Sequence, residues 1–137
     1  FVQLSDSSET QPLRVESAPM SRRIAIIGSR ERTDRDAVAR YVKTLPIDVV
    51  VVSGGAEGAD TFAEMAAIER GLKAVVHRPT VKRNAPYFEV VKAYHARNQA
   101  IIDDCDEVVA FVGSKRKGGT EDAIKRAKKA GKPVTIL

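Results

Sequence analysis

Ile24-Ala25-Ile26-Ile27-Gly28-Ser29-Arg30 and Val49-Val50-Val51-Val52-Ser53-Gly54-Gly55 follow one pattern: four apolar residues, then small polar ones with glycine. A short apolar run without alternation is a strand buried on both faces, as in a parallel sheet. Glycine straight after it lets the chain turn tightly at the strand's carboxyl end. The pattern returns at Val108-Val109-Ala110-Phe111-Val112-Gly113, and in shorter form at Ala74-Val75-Val76, ended by Pro79. Pro133-Val134-Thr135-Ile136-Leu137 reads as a short last strand.

Helical spacing fills the intervals. Thr33 is placed to cap a helix with Ala37, Val38, Tyr41, Val42 and Leu45 on one stripe, stopped by Pro46. Further helices are expected from about Ala59 to Glu69, closed by Gly71, from about Pro86 to Asp104, and from Thr120 to Ala130, with Gly131 behind it. Five strands alternating with four helices predict an α/β domain over residues 22–137: an open, parallel, Rossmann-like sheet of about five strands with helices on both faces. Residues 1–21, rich in Ser, Thr, Glu and Pro and without periodicity, read as a flexible N-terminal tail or linker, either native or an expression remnant. They lack the basic start and long apolar centre of a signal peptide.

The chain has 137 residues, 43% of them hydrophobic and 30% charged, enough for one core and too apolar for global disorder. No apolar run approaches the roughly 18–20 residues of a membrane span. The lone Cys105 excludes an internal disulfide and a cysteine-cluster metal site, and suits a reducing, cytoplasmic setting. His77 and His95 have no partner at metal-ligand spacing, so no metal site is expected. At 5% aromatic residues with no Trp, platforms for stacking bases are scarce. The net charge of +5 divides unevenly: −1 over residues 1–112 and +6 over 113–137. A nucleic-acid coat would be spread more widely.

In an open parallel sheet, ligands sit beyond the carboxyl ends of the strands. Three loops meet there: Gly28-Ser29-Arg30, Ser53-Gly54-Gly55-Ala56-Glu57-Gly58-Ala59-Asp60, and Gly113-Ser114-Lys115-Arg116-Lys117-Gly118-Gly119-Thr120. Glycine is the ordinary residue of any one tight turn. Three glycine loops on one edge, the last directly before a helix, favour a phosphate-bearing ligand. The spacing Gly113 to Gly118 matches a P-loop, but Gly119 stands where its lysine belongs, which argues against ATP hydrolysis. Strand 1 lacks G-x-G-x-x-G, which argues against an ordinary NAD-dependent dehydrogenase.

The segments IAIIGSR, VVSGGAEGAD, ARNQAIIDDCDEVVAF and GGTEDAIKRAKKAGKPV together resemble the SLOG superfamily, which includes Smf/DprA-type and LOG-type proteins, and most of all its YspA-like branch. The resemblance covers about residues 22–137 and implies a Rossmann-like fold that binds a nucleotide or nucleotide derivative. It implies that Gly54, Gly55, Gly58 and Asp60 form a first phosphate loop, and Gly118, Gly119 and Thr120 a second. Arg97 and Asn98 match the family's Arg-Asn pair on the helix before strand 4, and a homodimer is implied as well. Two positions depart from the pattern: Ala123 replaces the acidic residue of LOG-type enzymes, and Val81 stands where an aromatic residue often follows Pro79.

On its own, Arg97 either forks a phosphate or pairs at the surface with Asp103 or Asp104; the resemblance selects the first. Asn98 beside it is expected to read a base or ribose edge. Glu57, Asp60, Glu121 and Asp122 are the carboxylates on the ligand edge, each also suited to a helix's first turn. If there is catalysis, Glu57 and Arg97 are its candidates. The loop cations Lys115, Arg116 and Lys117 are placed either to close over phosphates or to stand in solvent, and Lys125, Arg126, Lys128 and Lys129 read as a solvated face. The sequence thus predicts nucleotide binding through Gly28, Ser29, Arg30, Ser53, the two phosphate loops, Asn98, Gly113 and Lys115, in the manner of a sensor module. N-glycosidic hydrolysis of a nucleotide and DNA binding of Smf/DprA type are the alternatives.

Overall fold

The computed structural model describes residues 22–29, 31–56, 58–114, 116 and 118–137. The expected tail, 1–21, lies outside the described residues. Strand β1 (Arg23–Gly28) buries Ile24 to Ile27, and β2 (Val50–Ser53) is buried throughout. β3 (Lys73–Val76), β4 (Glu107–Phe111) and β5 (Val134–Ile136) complete one parallel sheet in the order β3-β2-β1-β4-β5. Ala25 lies opposite Val52 and Gly28 opposite Phe111, so the carboxyl ends of the three central strands share one edge. The chain steps outward from β1 to β3, then crosses back to β4 on the other side of β1. The order therefore reverses between β1 and β4, where an open sheet leaves a crevice.

Helices α1 (Arg35–Lys43) and α2 (Ala59–Arg70) cover one face, and α3 (Tyr87–Asp103) and α4 (Gly119–Lys129) the other. This is why the strand runs are apolar without alternation. Ile24 and Ile26 pack with Val38, Val42 and the Ala59-Ala63-Ala67 stripe, while Ala25 and Ile27 pack with Ile101, Ile102, Ala123 and Ile124. The alanine stripe lets α2 lie close to the sheet: a Cβ on Gly28 would stand 2.5 Å from that of Ala59.

Two local readings change. α1 has Asp34 and not Thr33 at its N-cap, and that side chain caps nothing because both its oxygens bind Arg32, at 2.9 and 2.8 Å. Arg32 also donates to the carbonyls of Val112 and Leu137 and lies 5.4 Å over the Phe111 ring, tying together the ends of β4 and β5. The last helix, expected to run to Ala130, ends at Lys129, with Ala130 as its exposed C-cap. Among the described residues, no helix is long and apolar enough to cross a membrane.

Candidate functional site

A cleft of about 530 Å³ opens at the carboxyl edge. Gly28 and Ser29 floor it from β1, and Gly54, Gly55 and Asp60 from the β2 loop and the start of α2. Gly119 and Thr120 border it from α4, and Arg97 and Asn98 form a wall from α3. The other expected residues stand back from it. Ser53 is fully buried beneath, Gly113 faces Glu31, and Gly58 and Gly118 are the N-caps of α2 and α4. Arg30, Glu57 and Lys115 lie outside the described residues, as does Lys117.

Asp60, 4% exposed, is the floor's fixed point. One carboxylate oxygen accepts the Gly28 N–H at 3.1 Å and the other the Gly54 N–H at 3.0 Å, so a single side chain ties the first two glycine loops together. Burial pushes this carboxyl up to about 6, against the opposing pull of the Gly54 and Ala56 N–H groups and the Arg97 charge. Beneath it, Ser53 Oγ donates to Glu64 at 2.6 Å and accepts the Gly55 N–H at 3.1 Å, shaping the turn. Gly55 has φ +72°, and a Cβ there would meet the Arg78 guanidinium at 2.5 Å.

On α3, Tyr94, Arg97, Asn98 and Ile101 recur at helical spacing and turn one stripe to the cleft. Arg97 Nη1 donates to the Gly54 carbonyl at 2.7 Å, its Nε to Asn98 Oδ1 at 2.9 Å, and its guanidinium lies 5.4 Å over the Tyr94 ring. The surface pairing with Asp103 or Asp104 is not made: Asp104 binds Arg23 and His77, and Asp103 binds Gln99. Asn98 is 4% exposed, and its Nδ2 donates to the Gly119 carbonyl at 3.2 Å and to Asp122 at 3.0 Å. Its amide is thus spent on the protein itself, fastening α3 to the second glycine loop.

Arg126, expected on the solvated face, instead binds Asp122 at 2.7 Å and Gln99 at 3.0 Å. Burial raises the Asp122 carboxyl, but the bonds from Arg126 and Asn98 outweigh it and hold the group below its usual range. Arg116 pairs through two nitrogens with Glu121, at 2.6 and 3.2 Å. Sequence reasoning passed over Tyr94 and Glu31 as cleft residues. Tyr94 carried a legible signal, standing three residues before Arg97 and seven before Ile101; Glu31, in an irregular loop, carried none. Among the described residues, no group of three or more His, Cys, Asp or Glu is arranged to hold a metal ion.

The starts of α2 and α4 are near copies. Each follows an N-cap glycine in a conformation only glycine adopts readily, φ 87° and ψ −133° at Gly58, φ 87° and ψ −151° at Gly118. Two glycine-led helix starts on one cleft make a pattern that can be set against known proteins. Residues 22–84 match the family described as YspA, cpYpsA-related SLOG. Gene 61 protein of Mycobacterium phage D29 is 33% identical over 117 residues, 82% of this chain and 94% of that protein. The chain belongs to this SLOG family. DNA processing protein A (DprA) of Streptococcus pneumoniae shares the fold at a TM-score of 0.70 and 23% identity, over 85% of this chain and 50% of that one. This SLOG chain spans half the length of that protein, and the likeness is one of fold.

Proposed function

We propose that the SLOG cleft binds a nucleotide or nucleotide-like ligand with its phosphoryl group at the start of α4. The observation that carries this is the difference between the two sides of the cleft. On the β1–β2 side the protein's own Asp60 carboxylate already accepts the Gly28 and Gly54 N–H groups at the strand ends. At α4 the cap is a bare glycine, and a Cβ on Gly118 or Gly119 would meet nothing within 4 Å. Open N–H groups at a helix start favour an anion. Arg97 keeps its Nη2 uncommitted among the described residues while its other nitrogens hold it in place. The Tyr94 ring on the same wall offers a face to a base.

Binding is the reading these contacts support, the catalytic candidate Glu57 lying outside the described residues. Among the described residues, the carboxyls bordering the cleft are Asp60, with both oxygens engaged, and the exposed Glu31. Neither has the placement that N-glycosidic hydrolysis asks of an acid or a nucleophile.

Gly119→Asp tests the reading. The new side chain enters open space, and an acid in the first helical turn favours the helix. The variant should therefore melt at or above the parent's temperature. Adenosine monophosphate at about 100 times its Kd should stabilise the parent by about 3 kcal/mol in thermal shift, and the variant by nothing measurable. Equal stabilisation of both proteins would show that the phosphoryl group is not at α4.

A further inference from the structure

Glu31 borders the cleft beside Gly28, Ser29 and Thr120, yet neither the glycine floor nor the α3 wall uses it. It lies three residues past the end of β1, in the loop that leads to α1. An exposed glutamate in a loop is ordinarily a solvated side chain. Two observations set this one apart.

The loop is braced on both sides of it. Ser29 Oγ accepts the Glu31 N–H at 3.1 Å, and the Arg32 N–H donates to the Ser29 carbonyl at 3.1 Å, closing a turn around Glu31. Arg32 is itself held by Asp34, by the carbonyls of Val112 and Leu137, and by the Phe111 ring. The Glu31 side chain also has a seat. A Cβ on Gly113 would stand 2.6 Å from Glu31 Oε1 and 3.2 Å from its Cβ and Cδ. Gly113 is not one of the glycines with positive φ, so the contact with Glu31, and not the turn, asks for glycine there. The side chain thus lies across the end of β4, where its one partner among the described residues is Ser114 Oγ, at 3.5 Å.

An ionised carboxylate only accepts hydrogen bonds, and it repels a phosphoryl group. Its loop runs on the α1 face of the sheet, where Arg32 lies over Phe111 in that face's core. Arg97 and the start of α4 belong to the other face. The cleft therefore has an anion-accepting side and, facing it, a side that accepts donors. A nucleotide with its phosphoryl group at α4 and its base on Tyr94 leaves the ribose, joined to both, to turn towards the β1 loop. The ribose carries two adjacent hydroxyl donors, which match the two oxygens of one carboxylate. In dinucleotide-binding sheets an acid at the end of β2 takes a ribose hydroxyl. Here Ser53 and Gly54 occupy that end, and the acid comes from the β1 loop.

We propose that Glu31 binds the 2′- and 3′-hydroxyls of the ribose, with Gly113 as the seat that positions it, so that the cleft selects ribonucleotides. This rests on the cleft being a nucleotide site.

Calorimetry with adenosine monophosphate and with its 2′,3′-dideoxy analogue tests the contact. The parent should bind the ribonucleotide about 10-fold more tightly, as one hydrogen bond to a charged group allows. Glu31→Ala should bring that ratio close to 1 and, with Glu31 exposed, should keep the parent's melting temperature. Gly113→Ala should lower the same ratio while leaving the carboxylate in the chain, because its Cβ takes the space of the flexible Glu31 side chain. A parent that binds both nucleotides equally overturns the diol contact and leaves the cleft reading standing. A ratio that survives in Glu31→Ala assigns the diol to another residue, and an equal loss for both nucleotides puts Glu31 on the base or phosphoryl group; each overturns the proposal. A parent that binds neither nucleotide overturns the cleft reading itself, and this contact with it.

Discussion

Replacing Asp60 by asparagine separates two opposing effects at the base of the cleft. Burial raises this carboxyl from 3.8 to about 6 in the folded protein. Between those values the folded chain holds a proton that the unfolded chain has released, so stability falls as pH rises. The contribution is fully present below 3.8 and lost once pH passes through 6, the reverse of ordinary acid denaturation. A gap of about 2 units corresponds to about 3 kcal/mol. The asparagine variant would have no such slope, but its NH2 cannot accept, whereas the hydroxyl oxygen of the protonated carboxyl still can. Either the Gly28 or the Gly54 N–H then loses its partner, at about 1–3 kcal/mol. Urea denaturation of both proteins from pH 4 to 7.5 measures the outcome. The variant should be the weaker by about 1–3 kcal/mol near pH 4 and roughly equal to the parent or stronger near pH 7. A difference that stays constant across this range would show that the backbone N–H groups and Arg97 outweigh burial, and that the folded carboxyl titrates near its ordinary value.

Gly28→Ala should destabilise the fold by about 1–3 kcal/mol in urea, because its Cβ would stand 2.5 Å from the Ala59 Cβ and 2.8 Å from the Phe111 carbonyl oxygen; both neighbours are rigid, and an unchanged midpoint would mean that α2 can slide on the sheet. Asn98→Ala leaves the Gly119 carbonyl and Asp122 without their amide partner and Arg97 Nε without its acceptor. It should cost about 1–3 kcal/mol in urea and weaken mononucleotide binding in calorimetry, although this amide has no donor left for a ligand.

The sheet was legible because both faces of every central strand are covered, which demands the unbroken apolar runs at Ile24–Ile27 and Val49–Val52. Helix boundaries were less so where side chains had better partners than the helix. Asp34 turns to Arg32 and leaves α1 uncapped, a choice settled by the distant carbonyls of Val112 and Leu137 that hold Arg32 in place. Composition misled in a similar way at Arg126. Its neighbours Lys125, Lys128 and Lys129 are exposed as their spacing implies, but Arg126 reaches Gln99 across the α3–α4 contact, which no single-helix pattern contains.

The two glycine loops show the limit of reading a motif by its letters. Both helices start after glycine and carry acids in their first turn, Asp60 in α2, Glu121 and Asp122 in α4. Asp60 is two residues past its N-cap glycine, and Asp122 is four past its own. Two residues are about 200° of helical rotation, enough to send one carboxylate under the glycine loops and the other across to Asn98 and Arg126. Among the described residues, a carboxylate therefore accepts a backbone N–H of the first loop, while the second loop's Glu121 pairs with the Arg116 side chain instead. An acid moved from Asp122 to position 120 in α4 would place a carboxylate at the matching point of the second loop. It would set a carboxylate beside the second loop as Asp60 sits beside the first, and should abolish mononucleotide stabilisation in thermal shift.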